Sequence, residues 1–317
     1  GGSQGPVKPI GATMKVPRRF RRLPRAAAGW VLGAGMVLAW SGAVSPAQAQ
    51  SRRVRPPPDY VQLSPPDQAE GRAILESCRR SDLGGDCHFE FQLRVLPRRG
   101  EERLVAGRLW QQVARDGVAR RVELQAGATP DSPVALRLLL RGGEPGGIWR
   151  WRADSAGAVE RLGGASMFEG LSGTDVTPFD LQMPFLEWRE FAYEGLKKVR
   201  GRPTHAFLLY PPDGVAGVRP DLVAVRVFID AQFQALVQVE HLGESAGVLR
   251  SVHVNDLKRL GERWIVKSLD VRDDATRNKT RITFVGAALD TEFAEALFTP
   301  AELGAAIVPP ELTLIAP

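Results

Sequence analysis

Residues 243–247 have the spacing that could support hydrolytic chemistry. They read Gly-Glu-Ser-Ala-Gly and match the G-x-S-x-G pattern, in which a turn between a strand and a helix exposes a nucleophilic serine, here Ser245. A serine hydrolase of this kind also needs an acid and then a histidine later in the chain, but no Asp or Glu separates Ser245 from the last histidine, His253. The residues after the match alternate like a strand. We therefore interpret the match as a hairpin turn and predict no catalytic residue.

The histidines do not form a metal or catalytic cluster. His88, His205, His241 and His253 are scattered over strand-like segments, without the close spacing that zinc sites require. The sequence also has neither a Walker loop nor a glycine motif for dinucleotides. We therefore predict no metal, no cofactor and no enzymatic activity.

Residues 14–49 have the order of a bacterial export signal. A basic run follows Met14, an uncharged apolar stretch covers 26–44, and an Ala-Gln-Ala cleavage site ends at Ala49. We predict cleavage after Ala49 and a periplasmic mature protein. A permanent membrane anchor is the alternative, because the apolar stretch nearly reaches the roughly 20 residues that span a bilayer. The Sec and twin-arginine export routes both remain open.

The basic excess of the chain belongs to this leader. Seven of the 42 Lys and Arg residues precede residue 50 and no Asp or Glu does, which leaves 35 basic against 36 acidic residues in the mature chain. A sequence pI of about 9.7 would otherwise suggest a nucleic-acid partner. We predict that the protein has none.

Cys78 and Cys87 are the only cysteines. An exported chain meets an oxidising compartment, and the turn-rich residues between the two cysteines could bring them together, so we predict a disulfide. The alternative is a metal pair, but a zinc site needs a third and a fourth ligand, and none is nearby.

The mature chain reads as a succession of strands. Phe89, Phe91, Leu93 and Val95 alternate with polar residues, as in a strand with one buried face. Similar strands are predicted at 103–115, 118–124, 136–141, 148–153, 191–199, 205–210, 222–229, 236–242, 248–254, 264–271 and 280–285. Because so few helices separate them, we predict a mainly β fold with a curled antiparallel sheet that forms a barrel or part of one.

The predicted organisation is simple. Residues 1–49 are the leader with its upstream residues, 50–66 a Pro-rich lead-in, 67–305 a single domain and 306–317 a tail. A helix is predicted to begin with Ser64 as its cap and to continue to about Arg80.

An apolar segment at 164–188 interrupts the strands. It is rich in Met and Phe and is broken by Pro178 and Pro184, so we interpret it as short helices laid over the sheet. It could simply cover the sheet, or it could line an adaptable apolar cavity. A second interruption, at 291–303, predicts one or two short helices.

Four short motifs resemble those of the outer-membrane lipoprotein-sorting proteins, the LolA-like family with its LolA, LolB and RseB types. They are 171–181, with a Gly-Thr-Asp and then a Phe-Asp-Leu; 227–230, a strand ending in Ile-Asp; the paired strands 270–272 and 279–282; and the closing 298–303. The resemblance spans about 67–303. It implies an unclosed β-barrel whose apolar face is covered by short helices.

The resemblance also implies a function. Such proteins carry the acyl chains of lipoproteins across the periplasm, so we expect a monomeric carrier or binder of lipid or acylated lipoprotein, with an inner-membrane transporter as the candidate that loads it. A regulatory or scaffolding protein that senses lipid or binds a membrane protein is the alternative. The expected residues of the cavity or lid are Trp110, Trp149, Trp151, Phe168, Phe179, Leu181, Met183, Phe185 and Trp188. Arg150 and Arg152 are the candidates for contact with the cargo or the lid.

Overall fold

The structure is a computed structural model, which describes residues 60–80, 85–114, 117–142 and 146–315. The predicted export signal, its cleavage site and the lead-in up to residue 59 lie outside the described residues. The strands are β1 Val61–Ser64, β2 Cys87–Leu96, β3 Arg103–Ala114, β4 Gly117–Gln125, β5 Val134–Arg141, β6 Gly147–Arg152, β7 Val159–Leu162, β8 Phe191–Val199, β9 Arg202–Leu209, β10 Ala224–Asp230, β11 Leu236–Leu242, β12 Val248–Leu260, β13 Arg263–Asp273, β14 Lys279–Leu289 and β15 Thr313–Leu314. The α-helices are α1 Gln68–Arg80, α2 Pro178–Gln182 and α3 Asp213–Val218.

All these strands join one antiparallel sheet. Their order is β1-β8-β9-β10-β11-β12-β13-β14-β2-β3-β4-β5-β6-β7, and β15 pairs with β14 beside this path. The end strands β1 and β7 do not pair with each other, so the sheet stays open. The predicted fold class, a mainly β protein with an unclosed antiparallel barrel, is confirmed.

The strand predictions missed β1, β7 and β15. These strands have only two to four residues, and most of their side chains are exposed, so they show no alternating apolar pattern. The start of α1 also differs from the prediction. Asp67, not Ser64, caps the helix by accepting a hydrogen bond from the backbone N–H of Ala69 at 2.8 Å, because Ser64 belongs to β1.

The two faces of the sheet are covered by different parts of the chain. We call the inner face the one that packs under residues 164–188 and α1, and the outer face the opposite one. Two apolar clusters occupy the inner face, one centred on β2–β6 and the other on β8–β11, and both contact Val252. The outer face of β3–β6 packs under residues 293–307, which include the single 3₁₀ turn Glu295–Phe298 at the second predicted interruption.

Helix α1 docks on β8 at a glycine. The side-chain amide of Gln68 donates to the carbonyl of Tyr193 at 2.8 Å, and its oxygen accepts from the N–H of Tyr193 at 2.9 Å. A Cβ at Gly71 would lie 2.5 Å from Cβ and Cγ of Tyr193, so the backbone of the helix approaches the strand at this point. The helix thereby closes one side of the inner-face cluster through Leu75.

Gly71→Ala is expected to destabilise the protein by about 1–3 kcal/mol, since overpacking outweighs the gain in helix propensity of about 1 kcal/mol. Gly214→Ala is the matched control, because Gly214 lies in α3 and a Cβ there meets nothing within 4 Å. Urea unfolding of both variants measures the difference. Equal stability of the two variants would contradict the close docking of α1.

The predicted disulfide between Cys78 and Cys87 is not present among the described residues. Cys78 lies in α1 and packs against the cluster that contains Phe179, whereas Cys87 begins β2 in a separate cluster with Phe89 and Ile265. The two side chains are thus directed into different parts of the core, and burial raises the pKa of the Cys78 thiol.

Candidate functional site

Residues 164–188, which we call the cover segment, lie over the inner face. They form the 3₁₀ turns Gly164–Phe168 and Leu171–Gly173, the helix α2, and the 3₁₀ turn Pro184–Glu187. The prediction of short helices laid over the sheet is confirmed.

The sequence of α2 explains why these helices are short. The Thr177 hydroxyl accepts from the N–H of Asp180 at 3.2 Å, and the Asp180 carboxylate accepts from the N–H of Thr177 at 2.8 Å, which is a capping box. Pro178 occupies the first turn. Met183 ends the helix in the left-handed conformation with φ 50°, and Pro184 begins the next turn.

Aromatic side chains of the cover segment fill the inner face. The Phe179 ring lies 4.6 Å from that of Phe168, 5.8 Å from that of Phe185 and 6.2 Å from that of Trp188, measured between centroids. Beneath them lies a floor of apolar side chains from β9, β10 and β11, namely Phe207, Leu209, Val225, Val227, Ile229 and Val239. Four further residues of the cover segment pack in the other inner-face cluster, namely Met167, Leu171, Val176 and Leu181.

A buried ion pair fastens α2 to the sheet. The Asp180 carboxylate lies 2.5 Å from a guanidinium nitrogen of Arg250 on β12, and the Arg250 Nε donates to Asp180 Oδ1 at 3.1 Å. The same guanidinium donates to the backbone carbonyl of Asp175. The Thr280 hydroxyl of β14 donates to the Asp175 carboxylate at 2.8 Å. We call these four residues the latch.

The electrostatics of the latch favour its charged form. Burial raises the pKa of Asp180, but the Arg250 guanidinium and the other groups around the carboxylate more than offset this and hold the pKa below its usual value. Burial lowers the pKa of His241, which faces Phe179 at 5.4 Å, to about 4, so this ring is neutral at neutral pH. The Asp180–Arg250 pair therefore carries the charge beneath the cover segment.

Three further arginines hold the rim of the cover segment. Arg103 donates to the carbonyl of Ser172 at 2.6 Å, and Arg79 donates to the carbonyl of Trp188 at 2.8 Å. The guanidinium carbon of Arg219 lies 4.7 Å from the centroid of the Phe168 ring. These contacts lie between side chains and backbone or ring surfaces, so the segment is fastened at a few points and not by a strand ladder.

The structure divides the predicted cavity residues between the two faces. Phe168, Phe179, Leu181, Met183, Phe185 and Trp188 belong to the cover segment and pack on the inner face. Trp110, Trp149 and Trp151 lie on the outer face, where they pack against residues 293–307. The three tryptophans therefore do not contribute to the inner-face site.

Neither predicted arginine is the main contact to the cover segment. Arg150 forms an ion pair with Glu160 at 2.8 Å and reaches Glu169 of the cover segment only at 4.0 Å. Arg152 pairs with Asp154 at 2.6 Å, and both side chains are exposed. The buried ion pair with the cover segment is formed by Arg250, which lies two residues from Val252, an apolar residue that packs on the inner face.

The serine pattern is a strand connection, as predicted. Ser245 lies in the 3₁₀ turn Glu244–Ala246, with φ 55°, between the antiparallel strands β11 and β12. The chain continues from this turn into a strand, without the helix of a nucleophile elbow. Among the described residues, His, Cys, Asp and Glu form no group of three that could hold a metal ion. No helix in the described ranges has the length and hydropathy needed to span a bilayer.

An open antiparallel sheet with short helices over one face defines the LolA-like fold, and this chain has it. A family model described as "Uncharacterized protein" matches residues 148–305. No curated protein matches the sequence.

Three solved structures have the same fold. A putative outer-membrane lipoprotein-sorting protein domain from Vibrio parahaemolyticus superposes with a TM-score of 0.65 at 16% identity, covering 75% of this chain and 100% of that one. A DUF1329 family protein from Desulfovibrio piger gives 0.63 at 15% identity, covering 76% and 100%. A LolA superfamily protein from Nitrosomonas europaea gives 0.54 at 13% identity, covering 72% and 96%. The resemblance inferred from the motifs is thus confirmed for the fold.

Proposed function

We propose that the protein is a non-enzymatic periplasmic carrier or binder of lipid acyl chains, including those of acylated lipoproteins. The observation that carries this proposal is the cover segment, whose aromatic side chains fill the apolar inner face of an open sheet and which a buried latch fastens. When the cover segment lifts, the apolar floor beneath it becomes the surface that an acyl chain contacts.

The physical chemistry of the ligand fits such a site. An acyl chain in water is unfavourable by about 0.8 kcal/mol for each exposed CH₂ group, so a carrier needs a large apolar surface shielded from solvent. The same surface must be shielded when no ligand is bound. Phe168, Phe179 and Phe185 do this in the closed form, because they occupy the space above the floor.

The predicted leader and the comparisons support a periplasmic location for this function. The predicted export signal directs the mature chain to the periplasm, and one protein of the same fold is described as an outer-membrane lipoprotein-sorting domain. We infer a monomer that takes its cargo from an inner-membrane transporter.

Mass spectrometry of residues 50–317 purified from a bacterial periplasm tests the proposal. Native spectra report bound species, and denatured extracts identify them. Co-purified phospholipid or acylated peptide supports the carrier function and names the class of cargo. A protein that carries no lipid and also rejects fluorescent acyl probes would overturn the proposal in favour of the regulatory or scaffolding function.

Met183→Asp is expected to lower the retention of an acyl probe at least tenfold, because it places a charge on the cover segment where an apolar side chain now packs. The left-handed backbone at this position tolerates Asp, so the fold should persist. Val308→Asp is the control, since Val308 is 89% exposed and distant in sequence from the cover segment. Unchanged retention by Met183→Asp, with circular dichroism like that of the wild type, would contradict the assigned site.

A further inference from the structure

Three successive hairpins meet in a row of aromatic and cationic side chains. Arg202 begins β9, Phe233 lies between β10 and β11, and Trp264 lies near the start of β13. The guanidinium carbon of Arg202 is 4.8 Å from the centroid of the Phe233 ring, and that ring is 5.3 Å from the ring of Trp264. Arg259 stands directly opposite Trp264 across the β12–β13 pair. The row is therefore built from four residues on three hairpins.

The hairpin that carries Trp264 extends beyond its neighbours. The pairing of β11 with β12 ends at His253, and the pairing of β13 with β14 ends at Ser268, whereas β12 and β13 stay paired to Leu260 and Arg263. Trp264, at the projecting end, is 50% exposed. Trp side chains are usually well buried, so an exposed one beside a second aromatic ring marks a contact surface.

The surroundings of the row are basic. The β8–β9 hairpin contributes Lys198, Arg200 and Arg202, and the β12–β13 hairpin contributes Lys258, Arg259 and Arg263. Four acids accompany these six bases, namely Asp230, Asp256, Glu262 and Asp290. Three of the bases are ion-paired, Arg202 with the buried Asp230, Arg259 with Glu262 and Arg263 with Asp290, whereas Lys198, Arg200 and Lys258 form no ion pair with any described residue. The surface is thus positive, and the mature chain around it is close to neutral.

We propose that this hairpin surface, formed by Arg202, Phe233, Arg259 and Trp264 with Lys198 and Arg200 beside them, docks on an anionic phospholipid bilayer. Trp is suited to the membrane interface because its ring is apolar while its N–H stays hydrated. Lys and Arg add attraction to anionic headgroups, which salt screens. Charge and aromatic exposure together select this partner.

Docking there would hold one end of the sheet at the membrane and leave the core side of the hairpin in place. Ile265, the residue after Trp264, points to the opposite side of the ribbon and packs with Phe89 and Ala287 at one end of the inner face. The hairpin therefore has one side for the bilayer and one for the core. In this respect the inference rests on the proposed function, because docking would bring the proposed carrier to a source of lipid.

Vesicle co-sedimentation of residues 50–317 tests the docking. Binding is expected to vesicles of phosphatidylcholine with about 30% phosphatidylglycerol, and to fall as salt is raised. Vesicles of phosphatidylcholine alone should bind at least tenfold more weakly. Trp264→Ala is expected to lower the partition coefficient about tenfold, and Lys198→Gln and Arg200→Gln about fivefold each. Val223→Ala, which alters a side chain that is 47% exposed elsewhere, should bind like the wild type.

Equal binding to the two kinds of vesicle, or wild-type binding by Trp264→Ala, would overturn the docking surface. Capture of a protein partner by this surface without vesicle binding would overturn it as well. Retention of an acyl probe, measured on the same variants, separates this inference from the proposed function. Trp264→Ala should retain the probe fully, because its side chain lies outside the inner face, whereas a wild-type protein that binds vesicles but no probe would contradict only the carrier function.

Discussion

Arg250→Met is expected to lower the free energy of unfolding at neutral pH by about 3–5 kcal/mol, because it leaves the buried carboxylate of Asp180 without its counter-ion. The substitution also removes the donor to the carbonyl of Asp175, so two attachments of the cover segment are lost together. Hydrogen exchange should therefore increase in residues 164–188 first. Urea unfolding measures the change in stability.

The pH dependence of this loss has a defined sign. In the wild type the pKa of Asp180 lies below its usual value, so the pair contributes stability above that usual value and loses it as pH falls through the lowered pKa. In Arg250→Met the largest effect that opposes burial is removed, so the pKa of Asp180 rises. The variant then becomes more stable relative to the wild type as pH falls from 7 towards 5. If the difference in the free energy of unfolding between the wild type and Arg250→Met stayed constant from pH 7 to pH 5, Asp180 would not be the group that titrates.

Two companion variants isolate the pair. Arg250→Met with Asp180→Leu removes both charges and should recover most of the stability, since apolar replacements of a buried ion pair are often close to neutral. His241→Phe in the Arg250→Met background removes the titratable imidazole that faces Phe179, so that Asp180 can be observed without it. A double variant as unstable as Arg250→Met alone would show that Arg250 acts through packing and not through its charge.

The sheet could be predicted well because apolar and polar residues alternate within most of its strands, and this pattern is visible in each strand separately. It could not predict which face of a strand points inward when both faces carry large side chains. Trp149 and Trp151 alternate with Arg150 and Arg152, and either set could have faced the cover segment. The register decides the question, because Trp149 stands opposite Leu139 and Trp151 opposite Arg137, both on the outer face. The outer face is recognised by its packing against residues 293–307, which are far from β5 and β6 in the chain.

The latch was missed for a related reason. Asp180 and Arg250 are 70 residues apart, and nothing local joins them. The cover segment could be predicted because its residues are too apolar for an exposed loop. The composition of this one segment was sufficient for that prediction. The disulfide was predicted from the count of cysteines and the expected compartment, but the packing of Cys78 on α1 and of Cys87 at the start of β2 follows from tertiary structure.

Arg121→Met is expected to lower the free energy of unfolding by about 3–5 kcal/mol, because the fully buried guanidinium binds the carboxy-terminal segment to the outer face. Arg121 donates to the carbonyls of Glu302 at 3.0 Å and of Leu297 and Leu303 at 3.3 Å, and also to that of Ala305. The variant leaves these carbonyls beside an apolar side chain. Urea unfolding measures the loss.

Arg121→Lys separates charge from geometry. A lysine keeps the charge, but its single ammonium cannot reach carbonyls that a planar guanidinium binds from two nitrogens, so we expect it to recover less than half of the loss. Proteolysis should cleave near residues 293–307 first in both variants, while the cover segment stays protected, because the two segments lie on opposite faces of the sheet. Simultaneous cleavage of both segments would indicate that the outer-face segment and the cover segment open as one unit.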